Sequence, residues 1–112
     1  SRAAARRADG GRLRRFARRA VQGNVVVHTK SGFATVTFER GKVDAVNGQQ
    51  LTLTEGTRRA SYRTVMLTIP ANAVVRDDRH RATLAAVRPG QRVLVLVAPK
   101  HTYVIAHTPR TA

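Results

Sequence analysis

The apolar positions of this chain change period near residue 24. Leu13, Phe16, Ala17, Ala20 and Val21 recur at i, i+3, i+4, i+7 and i+8, one stripe of an α-helix. Arg12, Arg14, Arg15, Arg18 and Arg19 occupy the rest of the circumference. Gly10-Gly11 is expected to break any helix begun at Ala3, and Gly23 or Asn24 to end this one. The spacing therefore predicts a short basic amphipathic helix over 12–22, within a basic segment 1–23. A helix of about ten residues is not stable alone, so its stripe needs a surface. It packs on the following domain with its arginines in solvent, lies on an anionic membrane, or forms a nucleic-acid-binding arm.

From Asn24 the period becomes two. Val25-Val26-Val27 opens a strand and Ser31-Gly32 turns it. Ala34, Val36 and Phe38 alternate with Thr35, Thr37 and Glu39, and Val43, Ala45 and Val46 continue beyond Gly41. The stretch 33–46 reads as one long strand bent at Gly41, able to take part in two sheets. Asn47-Gly48 is a type I′ turn pair. Leu51 and Leu53 then face inward with Thr52 and Thr54 outward, and residues 55–60 form a polar loop. Tyr62 to Ile69 is a strand with Val65, Leu67 and Ile69 on one face, stopped or placed at an edge by Pro70. Residues 73–76 are extended, Asp77-Asp78 turns, and Thr83 caps one helical turn over 84–87. Pro89-Gly90 is a tight turn. Val93 to Val97 is apolar on both faces, as in a covered central strand, and residues 103–107 close the sheet. Free edges are expected near Pro70 or Tyr103, where strands of two chains could pair.

A bent strand, two strands, a small helical element and two more strands is the order of an OB-fold barrel, with an SH3-like barrel or open sandwich as the alternative. The expected fold class is all-β: a small antiparallel OB-like barrel of five to six strands over 24–112, preceded by the basic helix.

Charge then divides the chain. Residues 1–23 hold eight arginines (Arg2, Arg6, Arg7, Arg12, Arg14, Arg15, Arg18 and Arg19) against Asp9 alone, within a total of +15. Such a balance attracts polyanions: nucleic acid, anionic lipid or an acidic envelope polymer. Arginine so outnumbers lysine that a high-GC genome accounts for it as readily as a selected surface. With no cysteine in the chain, disulfides, thiolate zinc sites and cysteine nucleophiles are excluded. The segment 1–23 lacks the apolar core of a signal peptide, and no apolar run reaches the length of a membrane-spanning helix.

Two runs carry a family resemblance. One is Gly23-Asn24-Val25-Val26-Val27-His28-Thr29-Lys30-Ser31-Gly32-Phe33, followed by Val36, Arg40-Gly41-Lys42-Val43 and Ala45-Val46. The other is Leu84 through Val87, then Pro89-Gly90 with Val93 and Val95. Over residues 20–108 the chain resembles a bacterial family of small exported domains of unknown function, common in actinobacterial proteins. The resemblance implies an OB-like barrel outside the cytoplasmic membrane with no catalytic residues to carry over. The high charge departs from the family pattern.

Candidate chemistry is sparse. His28, His80, His101 and His107 have no metal-ligand spacing. Asp77 and Asp78, among Arg76, Arg79 and Arg81, read as a salt-bridged turn rather than an acid/base pair, which would set one carboxylate in an apolar pocket. Ser31 and Ser61 lack a nucleophile elbow, and no glycine loop cradles a phosphate. The expectation is a non-enzymatic domain without metal, cofactor or small-molecule substrate. An OB barrel binds single strands on its second and third strands and nearby loops. Arg58, Arg59, Arg63 and Tyr62 lie there, with Arg12, Arg14, Arg15, Arg18 and Arg19 adjacent. Stacking is nearly missing, since Tyr62 is the one aromatic there and Phe33 and Phe38 have inward parity. The sequence reads as a binding or scaffold module outside the cytoplasm, on anionic polymers or membrane surfaces of the cell envelope. The alternative is a non-specific nucleic-acid-binding OB module.

Overall fold

The structure, a computed structural model, describes residues 2–110, with side chains from residue 10 onward. The side chains of Arg2, Arg6, Arg7 and Asp9 thus lie outside the described ones. Helix α1 spans Arg2–Arg19. It runs through Gly10-Gly11, where neither glycine is near another group. Each glycine costs a helix about 1 kcal/mol relative to alanine, and the surrounding alanines and arginines, strong helix formers, carry the chain across. The helix also stops earlier than the expected 22, because Gln22 to Thr29 is already strand β1.

Eight strands follow: β1 (Gln22–Thr29), β2 (Gly32–Asn47), β3 (Gln50–Gly56), β4 (Ser61–Thr68), β5 (Val74–Asp77), β6 (His80–Ala82), β7 (Arg92–Val97) and β8 (Thr102–His107). A single 3-10 turn, Leu84–Ala86, lies between β6 and β7. Thr83 precedes it without a side-chain cap; the backbone bond from Ala86 N–H to Thr83 O, 3.0 Å, closes the turn instead. The protein is mostly β, with the sheet order β4-β3-β2-β7-β8-β5-β6, an open path that does not close on itself. All pairings are antiparallel except β5 with β8.

Strand β2 organises the fold. Its first half pairs with β1, its second half with β3, and its middle with β7 on the opposite edge. The change of neighbour from β1 to β3 falls at Gly41, opposite Glu55. A Cβ at Gly41 would collide with the Thr54 carbonyl, so only glycine lets the two backbones approach this closely. A bulge at Asp44 adds to the bend, and Asp44 accepts a 2.6 Å bond from Thr54 Oγ1.

The β2–β3 turn is displaced by one residue from its expected position. Asn47 pairs with Gln50, so Gly48 and Gln49 form the loop. Only Gly48 has positive φ, the pattern of type II′. Positive φ at both loop residues, the mark of type I′, occurs at Asp78 and Arg79 between β5 and β6.

The core lies inside the bent sheet: Val43, Leu51, Leu53, Ile69, Val75, Val87, Val93, Val95, Val104 and Ala106 are buried. Leu51 and Leu53 face inward as their alternation predicts. Phe33 does not: it is 78% exposed, because the β1–β2 hairpin runs past the core and parity there selects a face with nothing behind it. Tyr103 lies in β8, which is paired on both sides and is not an edge. Strand β4, ahead of Pro70, is one end of the sheet path.

Candidate functional site

Three parts of the chain meet at one concavity of about 970 Å³. The last turns of α1 supply Arg15, Arg18 and Arg19, the β3–β4 loop supplies Arg58 and Arg59, and β2 and β7 supply Arg40 and Arg92. Among the described residues, seven arginines and Thr57 line it, without a carboxylate. A smaller cleft of about 330 Å³ continues from it, sharing Thr57, Arg58 and Arg92 and adding Lys42 and Arg110.

The loop is held by its own threonine. Thr57 Oγ1 accepts bonds from the backbone N–H groups of Arg59 and Ala60, both 3.2 Å, and Thr57 N–H donates to Ala60 O at 2.9 Å. Such a side-chain turn fixes the backbone from which Arg58 and Arg59 project.

Arg40 fixes the helix. Its Nη1 donates to the carbonyl oxygens of Ala17 (2.8 Å), Arg18 (3.3 Å) and Ala20 (3.2 Å). These are orphan carbonyls at the helix C-terminus, and a cation there is favoured by the helix dipole as well. Arg92 Nη2 donates to Gly56 O at 2.7 Å, anchoring the end of β3. Burial lowers the Arg92 pKa, with the charges of Arg58 and Arg40 adding to the effect. Arg40 and Arg92 therefore build the cleft. Among the described residues, no hydrogen bond or ion pair engages the guanidinium groups of Arg15, Arg18, Arg19, Arg58 or Arg59.

Of the three expected placements of the helix, packing of its apolar stripe on the following domain is not the one observed. At about 100° per residue, Leu13 and Phe16 lie away from the face bearing Arg15, Arg18 and Arg19. They are 68% and 73% exposed, so the arginine face turns toward the β3–β4 loop and the apolar stripe toward solvent. Arg12 and Arg14 are exposed on the helix but do not line the cleft.

Arg63 and Tyr62 are not part of the cleft. Arg63 Nε donates to Glu55 Oε1 at 2.6 Å, and its Nη2 lies 4.0 Å from Glu39 Oε1. The Arg63 guanidinium is also 5.5 Å from the centre of the exposed Tyr62 ring. Its charge is thus compensated internally, and Glu55 holds its pKa above the usual arginine value. Glu55 is fully buried, and its Oε2 has no hydrogen-bond partner among the described residues. Glu39 is pushed up to about 7, first by burial, then by a hydrogen bond with Glu55 and the charge of Glu55, against a smaller pull from Arg63. A proton on the half-buried Glu39 removes one of two like charges that would otherwise sit beside each other. Neither carboxyl lines the arginine cleft.

The sequence reading missed Arg40, Arg92 and Lys42 because they sit inside apolar strand patterns, where only the third dimension aims them at a loop. Glu55 had a signal: it continues the inward alternation of Leu51 and Leu53, and it pairs with Arg63 in the ladder. The expected salt-bridged turn at Asp77-Asp78 is not built. Asp77 accepts from the Gln91 amide at 2.7 Å, and Asp78 accepts from Thr108 N–H and Oγ1, both 2.8 Å. Asp77 thus holds the residue that leads into β7 and Asp78 the residue that follows β8, and the Thr108 bonds hold the Asp78 carboxyl below its usual pKa.

Comparison with family models, curated proteins and solved structures finds no match.

Proposed function

We propose that this protein is a non-catalytic module that binds a linear anionic polymer of the phosphodiester type in its arginine cleft. One observation carries the reading: five guanidinium groups, from α1 and a braced loop, converge on one concavity, and among the described residues they engage no partner and no carboxylate lines it. Ordinary surfaces intersperse the two signs; a single-sign concavity raises the local concentration of an opposite charge. Arginine suits phosphate because its planar fork donates two parallel bonds to one group. A groove fits a chain better than it fits a flat membrane, and the exposed stripe of α1 offers only Leu13 and Phe16 as large apolar anchors.

The fold reading that accompanies this is an OB-like barrel. In its support, β2, β3, β4, β7 and β8 follow the OB strand order. The chain passes directly from β4 into β5, which lies parallel to β8, so chain continuity takes the place of the missing hydrogen bonds. An envelope polymer outside the cytoplasm is the expected source of the phosphodiester. Single-stranded nucleic acid offers the same backbone and is the second reading, favoured by the exposed Tyr62 on β4.

The test is fluorescence anisotropy at low salt with three probes: a glycerol-phosphate oligomer, oligo-dT and vesicles of anionic lipid. Both polymers are expected to bind, and the double variant R58S/R59S to bind about tenfold more weakly or worse. A preference for oligo-dT assigns nucleic acid as the source. Binding to vesicles alone, or polymer binding untouched by the double variant, overturns the proposal.

A further inference from the structure

Strand β1 has a free edge that is unlike the other edges of the sheet. Among the described residues it pairs only with β2, over all eight of its residues. Arg40 N–H donates to Val21 O at 2.8 Å, which sets the phase of the ladder. Odd-numbered residues of β1 bond to β2, so Gln22, Asn24, Val26 and His28 turn their N–H and C=O groups outward. Proteins blunt such edges with charge, proline or brevity. Strand β4 carries Arg63 and is followed by Pro70; β6 has three residues, one of them Arg81. Strand β1 has neither charge nor proline, and Val25, Val26 and Val27 are exposed.

We infer that β1 pairs with β1 of a second copy of this chain, in antiparallel register about a two-fold axis at Val26. This register is self-complementary. Val26 of one copy faces Val26 of the other as a hydrogen-bonded pair, and Asn24 faces His28. On the opposite face Val25 meets Val27, which gathers four valines from two chains. No like charges are brought opposite each other within the strand pair, whereas the rest of this +15 chain disfavours its own copy. An isologous interface of this kind closes at the dimer.

The salt dependence has a definite sign. Repulsion between two cationic copies is screened as the Debye length falls from about 10 Å at 0.1 M salt to about 3 Å at 1 M. Dimerisation therefore strengthens with salt, while polyanion binding weakens, so failure of either idea is distinguishable from failure of the other.

Sedimentation equilibrium of the full chain from about 1 µM to about 500 µM, in about 0.1 M and 1 M salt, tests this. The wild type is expected to reach twice the monomer mass, at lower concentration in the higher salt. V26K sets like charges directly opposite and is expected to remain monomeric throughout, with an unchanged circular dichroism spectrum. M66K, an equally exposed change on the β4 edge, is expected to dimerise as the wild type does. A wild type that is monomeric at every concentration overturns the inference, as does a dimer that survives V26K or is lost in M66K. If the wild type stays monomeric but floats with anionic vesicles and V26K does not, β1 is a lipid-docking strand and the inference fails.

Discussion

Glu55 ends an inward-facing run, Leu51 and Leu53 before it, and its burial obliges the chain to supply Arg63 and a protonated Glu39. The consequence is a pH dependence of known sign. An unfolded glutamate ionises near pH 4.5, whereas Glu39 in the fold holds its proton to about 7. Stability from this residue is complete below pH 4.5 and is lost as the pH rises through 7. E39Q keeps a donor that cannot ionise. It is expected to match the wild type in urea denaturation at low pH and to be the more stable protein at pH 8; equal stability at pH 8 would remove Glu39 from the account. None of this was legible beforehand, because residues 39, 55 and 63 meet only when β2, β3 and β4 are in register. The hydrophobic half of the same ladder was legible, since Leu51, Leu53, Val65 and Leu67 declare their inward side by alternation alone.

Among the elements, the strands were readable, and the helix only in its second half. Period-two alternation located β2, β3 and β4, a continuous apolar run located β7 with β8 closing after it, and Gly41 marked the bend of β2 through the missing side chain that β3 requires. Strand β6 left no pattern in its three residues, and the length of α1 was masked by Gly10-Gly11. What places α1 is equally hidden: a guanidinium 20 or more residues away that reaches its last carbonyls. R40M removes that contact while preserving the bulk of the stem. It is expected to cost about 1 kcal/mol at the helix end, so that amide exchange at residues 17–20 accelerates about fivefold. The core amides of β3 and β7 should keep their protection. Unchanged exchange at residues 17–20 would mean that Arg40 does not hold the helix.

Across the whole molecule, the charge of the sequence resolves into two populations with different fates. Arg63 is neutralised by the buried Glu55, and Arg40 and Arg92 brace carbonyls, while Arg15, Arg18, Arg19, Arg58 and Arg59 line one concavity. Composition pointed to polyanions as expected partners, but not to which arginines converge, because convergence depends on a helix and a loop about forty residues apart. The measurement that tests this most directly is the salt dependence of binding to a single-stranded phosphodiester oligomer. Five phosphate contacts at about 0.7 each give a log–log slope of about −3.5 for the wild type, and loss of two gives about −2 for R58S/R59S. A wild-type slope near zero, or one that the double variant leaves unchanged, would contradict the arginine cleft as the binding site.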